Sequence, residues 1–374
     1  MRSFFDLNPE SLKAACTELD LPSYLASQLL DWVYAKGVTD PEAMSNISKA
    51  NRRLIAENLT FYDSDAIAHQ TASDGTQKLL LAWHNEAASR STETSLPIIA
   101  PDRMTSSRQT ECVLIPTEQR RTACVSSQVG CPVGCRFCAS GLGGLEGNLR
   151  AGQIVEQVHR LGGLTPVVQL DGDPGGRITN VVFMGMGEPL ANFSAVTNAI
   201  RAINAPWGLG ISARKITVST VGLPPAIRKL VQFDIPVTLA LSLHAPNDAL
   251  RRELIPWANY ATIDEILDAC DEYFTKTGRE ITLEYLLLRN VNDRIEHAKE
   301  LAHVAKRLRA NVNLIRYNEV RGLPFDRPTT EDVHAFQNVL RERKVNAHLR
   351  ASRGRDIAAA CGQLRHERKN ASAV

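Results

Sequence analysis

Apolar residues recur at helical spacing three times near the start of the chain, over Ser11–Leu19, Leu25–Tyr34 and Asn51–Asn58. Gly37 stands just past the second stretch, where a helix stop signal is expected. The pattern then loosens into a polar, strand-like section whose clearest strand is Gln77–Trp83, QKLLLAW. Residues 85–108 are rich in Ser, Thr, Ala and Pro and predict a loop or insertion. From about Arg121 short β-rich runs alternate with amphipathic stretches. The expected strands are Thr122–Ser126, Val181–Met184, Ile216–Ser219, Val237–Leu243, Ile281–Leu288 and Val312–Tyr317. Helices are expected near 151–161, 194–203, 223–232, 262–275, 296–308 and 330–343, and Thr262-Ile-Asp-Glu265 has the form of a capping box. Strands and helices in strict alternation predict an α/β domain with a parallel sheet. Counting alone leaves an open sheet and a curved partial barrel equally allowed. Four segments follow: a helical domain at 1–60, a β-rich extension at 61–120, the α/β domain at 121–350 and a C-terminal segment at 351–374.

Composition changes this picture in two places. A chain of 374 residues that is 44% hydrophobic can bury a substantial core. No run of eighteen apolar residues occurs, and the start, MRSFFDLNP, lacks the apolar centre of a secretory signal, so neither a membrane-spanning helix nor export is expected. The net charge of +2 announces no partner, but its distribution is uneven. Nine Arg and Lys stand against three acids between Arg341 and Lys369, a field suited to phosphate or simply a solvated basic tail. Of the eight cysteines, five fall between 112 and 138, which points to chemistry in a cytosolic setting rather than a disulfide framework.

Three of those five form the run Cys131-Pro-Val-Gly-Cys135-Arg-Phe-Cys138. A structural zinc site takes four closed ligands, usually as two paired knuckles. Here no fourth ligand lies close by, and His159, the next histidine, falls inside an expected helix. An iron–sulfur cluster held by three thiolates keeps one iron open for another ligand.

This C-x3-C-x2-C run, with aromatic Phe137 before its last cysteine, resembles radical S-adenosylmethionine (SAM) enzymes, in which the loop holds a [4Fe–4S] cluster and SAM chelates the open iron. Further segments narrow the resemblance. Cys124-Val-Ser-Ser-Gln-Val-Gly-Cys131, Phe183-Met-Gly-Met-Gly-Glu-Pro-Leu190, Ser242-Leu-His-Ala-Pro-Asn247 and Asp356-Ile-Ala-Ala-Ala-Cys-Gly-Gln-Leu364 are similar, in this order, to the RlmN/Cfr family of RNA adenine methyltransferases. The resemblance spans nearly the whole chain and is weakest around 85–108.

It implies an α/β fold, the partial (βα)6 barrel of radical SAM enzymes, preceded by a small helical accessory domain that binds RNA. It also implies a site. Cys131, Cys135 and Cys138 would hold the cluster, and Gly187, Glu188, Ser219, Ser242, Leu243, His244 and Asn318 would line the SAM site. Standing alone, Gly185-Met-Gly-Glu-Pro189 reads as a tight turn before a helix, and His244 as a structural histidine. Cys361 alone would read as an inert buried thiol, whereas the resemblance makes it the cysteine methylated by a first SAM. Nearby Arg353 and Arg355 would favour its thiolate. Cys124 is implied to attack Cys361 in a transient disulfide exchange, and Glu111, otherwise a plain surface charge, to accept a proton. Cys16, Cys112 and Cys270 have no role and are expected in packing.

The chemistry accounts for the route. Carbon 2 of adenine lies between two ring nitrogens and is too electron-poor to attack the SAM methyl, but a carbon radical adds to it. The implied substrates are the peptidyl-transferase-centre adenine of 23S rRNA and the tRNA adenosine 3′ of the anticodon. The implied reductant is a flavodoxin or ferredoxin. Two rivals remain at this stage: a Cfr-like enzyme acting on carbon 8, and a non-catalytic metal-binding RNA-binding protein.

Overall fold

The computed structural model describes residues 1–84, 108–164, 177–308 and 310–364. The expected loop at 85–108 lies outside these apart from Arg108, as do the basic residues beyond Leu364.

Capping chemistry sets the first helices. The Asn8 side chain accepts from the Ser11 amide at 2.8 Å, and Pro9 opens Pro9–Glu18, where its missing N–H costs nothing. Ser48 caps Lys49–Asn58. Leu25–Leu30 continues through a π-helical turn, Asp31–Ala35, and Gly37 follows at φ +70°. A two-residue ladder, Arg2–Ser3 against Leu59–Thr60, closes this module.

Ten strands then form one sheet. Seven are parallel and neighbour one another in chain order: Arg121–Cys124, Asn180–Phe183, Ile216–Thr220, Thr238–Ser242, Thr282–Leu287, Asn311–Arg316 and Ala347–Arg350. Gln109–Pro116, Gln77–Trp83 and Ser64–Thr71 extend it antiparallel beyond Arg121–Cys124. The crossovers carry the helices Ala151–Gly162, Phe193–Asn204, Pro224–Val231, Ile263–Thr277, Ile295–Arg307 and Thr330–Glu342. Thr262 and Glu265 do form the capping box, with Glu265 Oε2 accepting from the Thr262 amide at 2.8 Å. All six expected strands and six expected helices are present.

Some elements were not expected, among them the following two. Ala347–Arg350 adds a seventh parallel strand; only Ala347 in it is buried, so it shows no apolar run. Asp248–Leu254 is a short charged helix started by Asn247, which accepts from the Leu250 amide at 3.0 Å.

The sheet is curved. In a flat sheet the Asn180–Phe183 and Ala347–Arg350 strands, five spacings apart, would be separated by about 24 Å. Instead Arg350 Nη1 lies 3.5 Å from the Met184 sulfur, and Arg350, Phe183 and Met184 line one cavity. This curl makes the partial barrel.

The N-terminal module is seated on the first barrel helix. Phe5 packs on the His159 ring with centroids 5.1 Å apart, and Asp6 accepts from the Gly152 amide at 2.6 Å. His159 Nε2 meets the Val33 carbonyl oxygen at 3.0 Å and Nδ1 meets Tyr62 Oη at 2.9 Å. His159 is thus engaged here and faces away from the cysteine run. Phe4, Leu12, Leu29 and Ile55 share one continuous core with Val181, Leu239 and Leu283 of the sheet.

Candidate active site

The cysteine loop leaves the first parallel strand at its C-terminal end, where α/β folds collect their chemistry. A small hairpin, Gln128–Gly130 against Leu145–Asn148, brackets it, and the Cys131 amide donates to the Gly144 carbonyl at 2.9 Å. Gly185 and Gly187 pack the second strand end directly on the approach to this loop. A Cβ on Gly187, whose φ is +104°, would sit 2.7 Å from Gln128 Cβ, and one on Gly185 would sit 2.7 Å from the Val125 carbonyl oxygen. The glycines are demanded by that close approach.

Cys131, Cys135, Cys138, Gly187, Glu188, Ser219, Ser242 and His244 all line one cavity. Ser219 and Ser242 meet hydroxyl to hydroxyl at 3.1 Å on neighbouring strands. His244 adopts φ +56°, unusual for a non-glycine residue, and its Nδ1 accepts from the Leu286 amide at 3.1 Å. Burial, helped by Arg251, holds this imidazole down at about 3, so it is neutral with its proton on Nε2. Glu188 is buried and pushed up to about 7 by desolvation, yet its oxygens accept from the Leu190 and Val221 amides at 3.0 and 2.8 Å. It pins the turn as well as facing the cavity. Leu243 differs from the expectation: it is fully buried in the core, and only its backbone reaches the site's surroundings. Period-two alternation explains this, since Leu243 continues the core-facing set of Leu239 and Leu241, opposite Ser242.

A second, smaller cavity adjoins the first and contains Cys124, Asn318, Arg353 and Cys361; Met184, Ile315, Arg350 and Cys361 line both. Cys361 therefore stands between the cysteine loop and Cys124, and both thiols are free. Burial and then the neighbouring Cys361 push the Cys124 thiol up to about 12, with Arg350 opposing. Asn318 Nδ2 donates to the Cys361 carbonyl at 3.4 Å, so it meets the cysteine's backbone instead of the main cavity.

Glu111 lines neither cavity. It lies on the same face of its strand as Val113, which pairs with Cys124, and its carboxylate meets the Lys78 ammonium at 2.9 Å with both side chains buried. Cys112 points to the opposite face with Cys16 and Cys270 in the main core, as expected for packing.

Cations near Cys361 differ from the expectation. Arg355 is exposed and Arg353 leans toward Asp74 at 3.9 Å. Arg350 is the cation set between Cys361, Cys124 and Glu284, whose Oε2 lies 3.8 Å from Nη1. Its guanidinium is held more firmly protonated, chiefly by Cys361. Arg251, buried beneath Cys135, was also missed; burial lowers it to about 10 and Cys135 opposes.

The segment carrying Cys361 is strapped down at both ends. Asp356 accepts from the Ser73 amide at 2.8 Å, Asp74 from the Gly354 amide at 3.1 Å, and Lys78 donates to the Ala358 carbonyl at 3.3 Å. Beyond Cys361, the Gly362 and Leu364 carbonyls accept from the Ala139 amide and Ser140 hydroxyl, each at 2.8 Å.

Does the cysteine run suit a cluster? Its three thiols share one cavity and are pushed upward by burial and mutual repulsion, Cys131 to about 12. A strongly positive group would favour their thiolates. Among the described residues no three His, Cys, Asp or Glu side chains converge as a single metal ion requires. The donor set fits a wider, all-thiolate group with one open position.

Comparison with known proteins decides the family. The model of the radical SAM superfamily matches residues 125–302, and that of the ribosomal RNA large subunit methyltransferase N-terminal domain matches residues 3–60. A protein of Thermotoga neapolitana named "Probable dual-specificity RNA methyltransferase RlmN" is 40% identical over 374 residues, covering 100% of both chains. One of the same name from Rhodopirellula baltica is 39% identical over 98% of this chain and 91% of its own. The chain belongs to the RlmN family of radical SAM methyltransferases. A crystal structure of a radical SAM methyltransferase from Sphaerobacter thermophilus, 37% identical, superposes with a TM-score of 0.85 over 98% of this chain and 99% of its own. As an RlmN-family member the chain is a SAM-dependent radical RNA methyltransferase using a [4Fe–4S] cluster and SAM. No helix among the described residues is long and apolar enough to cross a membrane.

Proposed function

We propose that this enzyme methylates carbon 2 of adenine in the peptidyl-transferase centre of 23S rRNA and in tRNA 3′ of the anticodon, with Cys361 as methyl carrier. One observation carries the reading: Cys361 lines the cavity of the cluster loop and, at the same time, the cavity holding Cys124. A carrier must visit both chemistries, and this one needs little movement to do so.

Cys131, Cys135 and Cys138 would hold the cluster; Gly187, Glu188, Ser219, Ser242 and His244 would enclose SAM beside it. When bound, cluster and SAM supply a 5′-deoxyadenosyl radical. Cys361, beside Arg350, first accepts a methyl group at sulfur with loss of its thiol proton; its S-methyl group would then give a hydrogen atom to that radical, and the resulting methylene would form a bond to carbon 2 of the base. Glu111, held against Lys78, takes the proton lost from that carbon. Cys124 then attacks the Cys361 sulfur, a disulfide forms as the carbon–sulfur bond to the product breaks, the surplus electron of the radical adduct would return to the cluster, and the product methylene takes up a proton. The target base must be unstacked, at a cost of a few kcal/mol that is lower in a loop. The helical module and the basic C-terminal segment would hold RNA by shape and phosphate contact. A flavodoxin or ferredoxin in the cytoplasm would supply the electron.

Mass spectrometry of rRNA and tRNA from a deletion strain tests the reading: 2-methyladenosine should vanish from both pools, and normal levels in both would sink it. Position-resolved analysis separates the carbon-8 alternative; the match of residues 3–60 supports carbon 2. Zinc in place of about four irons after anaerobic purification would support a binding protein instead.

A further inference from the structure

The Lys78–Glu111 pair is not explained by packing alone. Lys78 and Glu111 sit on adjacent antiparallel strands with side-chain exposures of 9% and 6%. Taking both charges from water is expensive, and an apolar pair of similar volume would often serve stability as well. The same ammonium donates to the Ala358 carbonyl, three residues before Cys361 and far along the chain from Lys78. Register places the pair functionally: Lys78 lies opposite Val113, and Val113 lies opposite Cys124, so Lys78, Val113 and Cys124 form one row on one face of the sheet. Glu111 stands two residues along on that face, and Ala359 and Leu364 of the Cys361 segment pack against the same row. One cation thus touches the base's carboxylate and the backbone of the carrier segment.

We propose that Lys78 is a positioning residue for the resolving half of the reaction. Its ammonium ties the Glu111 carboxylate to the Cys361-bearing segment, so that base and carrier keep one mutual distance when the base is attached through Cys361. The proposal rests on the roles given above to Glu111 and Cys361. Lys78 itself makes and breaks no bond in the step; it acts through Glu111. The proton passes from carbon 2 to a Glu111 oxygen and its bonding electrons stay in the ring; Lys78 contributes the aim.

The test uses the full chain with Lys78→Met, Lys78→Arg and Glu111→Gln. With reconstituted enzyme and an RNA stem-loop bearing the target adenine, three quantities are followed: S-methylation of Cys361 by mass, covalent protein–RNA species on denaturing gels, and released methylated RNA. Lys78→Met should methylate Cys361 within about 2-fold of the parent, whereas RNA release falls about 10- to 100-fold and the covalent species persists, the scale expected for a displaced catalytic group. Lys78→Arg should recover most of the release. In the cofactor-free protein, trypsin should cut after Arg353 and Arg355 about 2- to 10-fold faster in Lys78→Met, the worth of one hydrogen bond to the segment. Unchanged release, or an unchanged cleavage rate, overturns the proposal. So does loss of S-methylation in both Lys78 variants, which would mark a general structural role. Normal release by Glu111→Gln would remove the underlying reading of the base, while a stalled Glu111→Gln beside a normal Lys78→Met defeats the Lys78 proposal alone.

Discussion

His159 makes attachment of the N-terminal module sensitive to acid. Its ring bridges the Val33 carbonyl and the Tyr62 hydroxyl, contacts that the neutral imidazole satisfies with one donor and one acceptor. Burial, reinforced by Arg160, lowers it from 6.5 to about 4, while the bond to Val33 opposes. The unfolded chain therefore takes up this proton before the folded one does. Stability from the group is whole above pH 6.5 and is lost as pH falls toward 4. At ~1.4 kcal/mol per pH unit the full loss is about 3 kcal/mol, of which about 2 kcal/mol is gone by about pH 5. Urea unfolding of the cofactor-free parent and of His159→Gln at about pH 7.5 and about pH 5 isolates the term, because carboxylates titrate alike in both proteins. The parent's advantage over the variant should shrink by about 2 kcal/mol at the lower pH. An advantage unchanged to within ~0.5 kcal/mol would refute the argument.

Cys361→Ala should assemble the cluster yet show neither protein nor RNA methylation, whereas Cys124→Ala should methylate Cys361 and stall with RNA covalently attached; a denaturing gel and peptide mass spectra distinguish them. Arg350→Leu strands the Glu284 carboxylate and should cost about 2 kcal/mol or more in denaturant unfolding, with Arg350→Leu/Glu284→Gln recovering part of it; equal stability of single and double variants would show the pair uncoupled. Gly187→Ala forces a Cβ against Gln128 at a left-handed backbone position and should lower stability by about 2 kcal/mol with SAM binding weakened in parallel, as equilibrium dialysis would report.

What could be read from the sequence was local. The Thr262 capping box, the helix periods and the cysteine spacing each lie within one turn or one loop, so their meaning survives without the fold. Gly187, Glu188, Ser242 and His244 came only with the family resemblance, since alone their motifs read as a turn and a structural histidine; the fold sets all four on one cavity, and plain alternation would have turned Leu243 inward. Arg350 and Lys78 were out of reach for a different reason. Arg350 acquires its neighbours only because the sheet curls its seventh parallel strand back toward the second. Lys78 acquires Ala358 only because the final segment returns to the antiparallel extension. Neither partner is foreshadowed by spacing. The strand Ala347–Arg350 escaped because its half-exposed residues carry no apolar signature.

That returning segment has a consequence for biosynthesis. Ser73 and Asp356, bonded in the folded protein, are separated by 283 residues of chain. On the roles proposed above, the cysteine loop and most of the cavity lining precede Asn318 in the order of translation, while Arg350 and Cys361 come later. On those roles a ribosome-bound chain would present the cysteine loop well before the carrier thiol is in place. Long-range docking of this kind forms late, because its loop entropy must be met first. On the proposed roles, a chain interrupted before Cys361 would lack the methyl carrier and should not alkylate RNA.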